Sequence, residues 1–449
     1  MKTLIYGGRV IDPANRVDAL LNILIEDGKI RWVGTEKPQA EVYIDATNRV
    51  VSPGFIDLHM HEDPVDEQGR ILPDIFNTML RMGVTTAVGG NCGINVHDPV
   101  DYLNKVDEQG TPVNIALLAG HEYFRKAAGA TDIYAPATEA EKSAMEAGLR
   151  EALAGGCVGV SFGLRYVPGA DKDEFFRAAA CCQGTGKFIA SHVRDDADAI
   201  FAAIDEFCAA GVAYHLPVQI SHIGSMGGFG QMERVLRQVD SYRLNGLDIA
   251  MDCYPYFAFS TRIGTPTYDP GWLERYHCDY GVLEFSEGKY KGQRATKETF
   301  DEVRRDHPGC ITVCYVMKEE DVRLALSHPT VMMASDGLLD NGQGHPRAAG
   351  SFPRFLAEFS RRGDISLYDA VAKITAMPAA RLGLGHKGRL NVGADADITI
   401  FDPAAIEDGA TFREPTLPPR GIDYVFIGGK LAAKDCRILS GNCGKSVRT

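Results

Sequence analysis

The sequence predicts an α/β chain: a (β/α)8 TIM barrel over residues 54–387, with a small β-sandwich domain assembled from 1–53 and 388–449. Three observations predict it. The middle of the chain alternates short apolar runs with stretches apolar at three- and four-residue spacing, the patterns of buried strands and amphipathic helices. The strand candidates number eight, the count for a barrel of alternating strands and helices. Both ends instead read as short strands punctuated by glycine and aspartate turns.

In the first segment, Leu4-Ile5-Tyr6 is closed by Gly7-Gly8, Val10-Ile11 by Asp12-Pro13, and Ile23-Leu24-Ile25 by Glu26-Asp27-Gly28. Ile30-Arg31-Trp32-Val33 and Arg49-Val50-Val51 follow. The eight middle strands are expected at 55–59, 86–90, 114–119, 158–162, 188–193, 218–223, 249–254 and 331–335. Helical periodicity fills 139–153, 171–180, 197–210 and 231–244 between them. Residues 263–330 are too many for a simple connection and predict an insertion or lid near the barrel mouth, with a strand at 311–316. After 388 the β texture returns in Ala396-Asp397-Ile398-Thr399-Ile400-Phe401 and Tyr424-Val425-Phe426-Ile427.

Composition removes several classes. An apolar fraction of 45% and a charged fraction of 24% describe an ordinary globular protein of 449 residues. A formal charge of −13 with no basic run argues against nucleic acid and gives no reason to bind anionic membranes. No apolar stretch approaches the roughly 18 residues that span a bilayer. Met1-Lys2-Thr3-Leu4-Ile5-Tyr6 begins as a strand, without a signal-peptide pattern, so a cytoplasmic location is expected. The 11 cysteines lack Cys-x-x-Cys spacing and read as free thiols, with Cys181, Cys182 and Cys208 as small buried hydrophobes.

The chemistry starts at Gly54-Phe55-Ile56-Asp57-Leu58-His59-Met60-His61. Residues two apart on a strand point to the same side, so His59 and His61 can close on one metal ion. Single histidines on apolar strands are commonly hydrogen-bonded core residues, and the other strand ends must decide. A barrel enzyme places reactive groups at the C-terminal ends of its strands. Those ends hold His59 and His61, then Cys92, Ser161, His192, His222, Tyr254 and Asp336. Buried imidazoles and carboxylates are costly unless paired, and a shared divalent ion satisfies all of them.

With these residues in place, the chain resembles the amidohydrolase superfamily, and within it the D-aminoacylase (N-acyl-D-amino-acid deacylase) group. The marks run over nearly the whole chain. They include the His59-Met60-His61 stretch, Gly90-Asn91-Cys92-Gly93, Gly163-Leu164-Arg165-Tyr166-Val167-Pro168-Gly169 and Ser191-His192-Val193-Arg194-Asp195-Asp196. Ile220-Ser221-His222, Asp252-Cys253-Tyr254-Pro255-Tyr256, Ala334-Ser335-Asp336-Gly337 and His345-Pro346-Arg347 follow, and then Gly388 to Asp397. Hydantoinase- and dihydroorotase-like relatives bridge two metals with a modified fourth-strand lysine, where this chain offers Ser161.

The resemblance implies an N-acyl-D-amino-acid deacylase with Zn2+ held tightly by Cys92, His192 and His222. It implies a second, weaker position at His59 and His61, with Asp336 beside both as metal ligand and general base. Arg347 would grip a substrate carboxylate through two parallel hydrogen bonds, with Tyr254, Tyr166, Ser260 and Arg262 as further substrate contacts. The partner implied is a small N-acylated molecule, with homo-oligomerisation left open. One position departs from the group. Its Ser-His-His-Lys reads Ser221-His222-Ile223-Gly224 here, so a positive charge is missing. A cyclic or non-amino-acid amide is therefore an alternative substrate, and a non-catalytic barrel scaffold is the alternative of another class.

Overall fold

Val50–Pro53 lies where the two ends of the chain meet. It runs antiparallel to Ile398–Phe401 from the C-terminal part and parallel to Lys2–Asp12 from the N-terminal part. Around this junction, in a structure that is a computed structural model describing residues 2–449, both ends form one nine-stranded sheet. Its order runs from Arg437–Ile438 through Lys430–Lys434, Ile422–Ile427, Ile398–Phe401, Val50–Pro53, Lys2–Asp12 and Val17–Glu26 to Lys29–Gly34, with Val42–Asp45 paired alongside Lys2–Asp12. Ile5, Val10, Ile23, Val51, Ile398, Ile400 and Phe426 supply the buried side. The last residues leave this sheet. Val447 donates to the Ile115 carbonyl at 2.8 Å, and Lys187 Nζ donates to the Thr449 carbonyl at 2.7 Å.

Pro53-Gly54 carries the chain directly into Phe55–Asp57, which pairs in parallel with Val84–Gly89, itself parallel to Asn114–Leu117. A second parallel sheet takes Ala119–Gly120, Gly159–Gly163, Phe188–His192, Val218–Ile220, Ile249–Cys253 and Val331–Met333 in order. Leu118 alone separates the two sheets at one side. At the other, Met60 and Gly337 form a parallel bridge, and the Asp336 N–H donates to the His59 carbonyl at 2.7 Å. Ile56, Val88, Ala116, Ala190, Ala250 and Met332 come from six different strands and pack into one cluster.

The strands sit where the apolar runs predict them, and each stops a residue or more short of, or beside, a polar side chain. Helices alternate with them. Glu139–Ala154 starts at a capping box of Thr138 and Glu141, while Asp171 caps Lys172–Ala180. The long segment after the seventh strand folds as a three-stranded antiparallel sheet, with Ile311–Cys314 between Phe259–Arg262 and Leu283–Phe285. It begins at Phe259, a few residues earlier than the sequence suggests, because Phe259–Arg262 is a strand of this sheet and not a connection. No helix among the described residues is long and apolar enough to cross a membrane. All 11 cysteines are free thiols.

Candidate metal centre

The carboxyl ends of the parallel strands bring together side chains that lie far apart in sequence. Potential metal donors fall into three overlapping sets: His59, His61 and Cys92; Cys92, His192 and His222; and His59, His222 and Asp336. Within each set the donor atoms lie within 4.8 Å of one another. Cys92 is the shared member of the first two. Its Sγ stands 3.4 Å from His222 Nε2 and 3.5 Å from His59 Nε2. Bond lengths of 2.0–2.3 Å at tetrahedral angles place two donors on one zinc about 3.5 Å apart. His192 Nδ1 is buried without a hydrogen-bond partner. A soft thiolate among imidazoles is a donor set that suits Zn2+. These residues fit the metal.

The backbone at three of these positions is unusual. Cys92, His222 and Asp336 adopt φ of 54°, 34° and 49°, in the left-handed region that side-chain-bearing residues rarely occupy. Such residues cost about 1–3 kcal/mol each and persist where the surroundings fix them, typically at functional sites. For Cys92 the surroundings are visible. Ser161 accepts the Gly93 N–H at 3.0 Å and donates to the Gly90 carbonyl, so the fourth strand ties both sides of the cysteine turn. Gly90 cannot carry a side chain, since a Cβ there would lie 2.1 Å from the Leu118 carbonyl oxygen.

Two buried aspartates, Asp252 and Asp57, orient the donors. Asp252 Oδ1 contacts His59 Nδ1 at 3.2 Å and accepts the His222 N–H at 2.7 Å. Asp57 accepts the Ser335 N–H at 3.0 Å and the His59 N–H at 3.2 Å. Burial pushes its carboxyl up to about 6, against these donors. The available signal was a carboxylate inside an apolar strand, which demands a partner. Ser225 Oγ, 3.0 Å from His222 Nδ1, fixes the ring of another donor and carried no sequence signal.

Charge coupling is strong here. Burial alone would raise the Cys92 thiol, but His59 and His222 outweigh it and hold the group well below its ordinary range. Burial lowers His61, whereas its bonds to Asp336 and Cys92 lift it to about 9. Burial and the neighbouring His222 take His192 down to about 4. Asp336 is raised by burial but pulled well below the usual carboxylate range by Arg347 and His59. His61 Nε2 lies 3.2 Å from Asp336 Oδ1, and Arg347 Nη1 lies 2.9 Å from Asp336 Oδ2.

The remaining sequence candidates surround this centre. Arg347 is 3% exposed, lies 4.8 Å over the Tyr254 ring, and donates from Nη2 to the Ser260 carbonyl at 3.3 Å. Its Nε has no hydrogen-bond partner. Tyr166 packs on His192 with ring centroids 4.5 Å apart. Arg262 sits at the outer rim, donating to the Gly309 carbonyl at 2.8 Å and pairing with Asp340 at 3.1 Å. Two spaces open from the centre. An outer one of about 570 Å³ reaches Cys92, His61 and Arg262, and a tight inner recess of about 20 Å³ lies beside His192, His222 and Tyr254. Tyr166, Ser260, Asp336 and Arg347 line both. Position 224, where the sequence lacks a lysine, has no room for one as packed: a Cβ would fall 2.7 Å from Cys253 Sγ.

A cysteine, clustered imidazoles and a carboxylate at the carboxyl ends of parallel strands make a donor set that could hold a metal ion on an α/β fold. Residues 42–213 and 296–433 match the model of the amidohydrolase family. N-acyl-D-glutamate deacylase from Alcaligenes xylosoxydans xylosoxydans is 32% identical over 95% of this chain and 92% of its own length. D-aminoacylase from the same organism is 32% identical over 95% of this chain and 93% of its own. Among solved structures, N-acyl-D-glutamate deacylase from Bordetella bronchiseptica, complexed with zinc and a phosphonate mimic of the tetrahedral intermediate, is similar with a TM-score of 0.89. It is 30% identical and aligned over 100% of this chain and 99% of that one. The chain belongs to the amidohydrolase family.

Proposed function

We propose that this protein is a zinc-dependent hydrolase that removes the acyl group from N-acyl-D-amino acids. It works at the carboxyl ends of a closed (β/α)8 barrel carrying a β-sandwich domain from 1–53 and 388–449. Closure is supported by the Met60–Gly337 bridge on one side and by continuity through Leu118 on the other. The observation that carries the function is the convergence of Cys92, His192 and His222 with His59, His61 and Asp336. The relatives named above, both deacylases, supply the reaction class and the D configuration.

Cys92, His192 and His222 would hold the tighter zinc, and His59 and His61 would line a second, weaker position with Asp336 beside both. Zinc bound there supplies a Lewis acid for the amide carbonyl and brings the pKa of water towards neutrality. Asp336 takes the proton of the attacking water and returns one to the departing amine. Arg347 and the imidazoles keep it ionised, as a base must be. Arg347, whose Nε has no hydrogen-bond partner, grips the substrate carboxylate. Tyr254 stacks beneath its guanidinium, Tyr166 and Ser260 flank it, and Arg262 closes the outer rim.

The test is turnover of N-acetyl-D- and N-acetyl-L-amino acids, hydantoins and dihydroorotate by protein of measured metal content. Hydrolysis confined to the D-amino acid derivatives is expected. Zinc-loaded protein that cleaves only cyclic amides, or none of the panel, overturns the reading.

A further inference from the structure

The two relatives match this chain equally well although one is named for an acidic amino acid, so identity does not choose the side chain. The charges lining the site do. In the inner recess the wall beyond His192 and His222 is made by Asp196, Tyr276, Met226, Phe259 and Ser225. Asp196 is 3% exposed. Its Oδ2 accepts the Tyr276 hydroxyl at 2.5 Å, and its Oδ1 lies 3.0 Å from Arg275 Nε. Arg165 stands nearby but spends its shortest contact, 2.6 Å, on Asp195. Neither guanidinium lines the recess. An occupant therefore meets a carboxylate and a phenol. Burial pushes the Asp196 carboxyl up to about 6, against the pull of Arg165.

Lysine and arginine side chains lining either space are three. Lys126 is paired with Glu122 at 2.5 Å, Arg262 with Asp340 at 3.1 Å, and Arg347 with Asp336 at 2.9 Å. Arg347 alone lines both spaces, and the proposed reaction commits its free edge to the α-carboxylate. The outer space adds Glu62 and Glu122 to the negative side. A second carboxylate on the substrate would find no uncommitted cation and, in the recess, the Asp196 carboxylate, itself paired with Arg275, where a cation would be needed. Such juxtaposition is strongly unfavourable.

We propose that the site selects N-acyl-D-amino acids whose side chains carry no negative charge, and that Asp196 is the residue that excludes acidic ones. This rests on the deacylase reading above.

The experiment compares N-acetyl-D-glutamine with N-acetyl-D-glutamate, and the asparagine and aspartate derivatives, on the zinc-loaded enzyme. Each pair has the same shape and differs in charge. At neutral pH the amide member is expected to show kcat/KM about 100-fold higher. Equal or faster turnover of the acidic member overturns the selectivity while leaving the deacylase reading intact. No turnover of any N-acetyl-D-amino acid overturns both. Asp196→Asn should cut the glutamine-to-glutamate ratio to below about 10-fold, chiefly by raising glutamate turnover. An unchanged ratio in a folded variant removes Asp196 from the role. Should that variant not fold, product inhibition of the unaltered enzyme serves instead: free D-glutamine must inhibit better than D-glutamate, and the reverse order overturns the proposal.

Discussion

His59 Nδ1 stands 3.2 Å from Asp252 Oδ1, and the same oxygen accepts the His222 N–H at 2.7 Å. One carboxylate oxygen thus sets the direction of one donor ring and the backbone position of another. With Nδ1 facing Asp252, the other nitrogen of His59 is left to face Cys92 and Asp336. Replacing Asp252 with Asn should weaken zinc about 10–100-fold. Competition against a chromogenic chelator measures this, and unchanged affinity would show that His59 and His222 hold their places without it.

Asp336→Asn keeps the shape of the side chain and removes its basicity. Proton transfer by a positioned group contributes about 10²–10⁴-fold, so kcat should fall by that order. Zinc content, read by elemental analysis, should stay near that of the unaltered protein because Cys92, His192 and His222 remain. Near-normal hydrolysis would reject Asp336 as the base.

Arg347 and Asp336 are linked by their 2.9 Å contact, so Arg347→Met has two readable effects. Losing the guanidinium should raise KM for N-acyl amino acids. It should also let the Asp336 carboxyl rise, since Arg347 is the leading group that opposes burial there. A base must be ionised, so the acidic limb of the kcat/KM profile should move to higher pH. A larger KM with an unmoved limb would separate the carboxylate clamp from the tuning of the base.

Zinc uptake should depend on pH with a definite sign. Before metal arrives, burial disfavours the charged ring of His61, yet Asp336 and Cys92 lift it to about 9, so at neutral pH it carries a proton that metal at the second position must displace. His59 is likewise raised, while His59 and His222 hold the Cys92 thiol well below its ordinary range against burial. Affinity at that position should therefore rise with pH from neutral to at least about 9. Calorimetry in buffers of different ionisation enthalpy would count the released protons, and pH-independent uptake would contradict the arrangement.

Much of the centre was legible because histidine, cysteine and aspartate are rare at the ends of apolar strands and each needs a partner when buried. That reasoning singled out His59, Cys92, His192, His222 and Asp336 as candidates, and the fold brings them together. What it missed depends on neighbours across the fold. Asp252 reads as one polar residue in Ile249–Cys253 until the strand is placed beside Val218–Ile220, which ends just before His222. Asp196 belongs to a polar run whose direction no spacing reveals, and Ser161 looks inert until it is seen gripping the turn around Cys92. The antiparallel sheet after the seventh strand was harder still. Phe259–Arg262 pairs with residues some fifty positions onward, a separation that local pattern does not report.

The meeting of Val50–Pro53 with Ile398–Phe401 also bears on synthesis. A ribosome makes Val50–Pro53 early and must deliver most of the remaining polypeptide before its antiparallel neighbour exists. Until then this strand is a bare edge immediately upstream of the first histidine, open to proteases and to mispairing with other nascent chains. Translation that stops short of residue 398 leaves that edge uncovered.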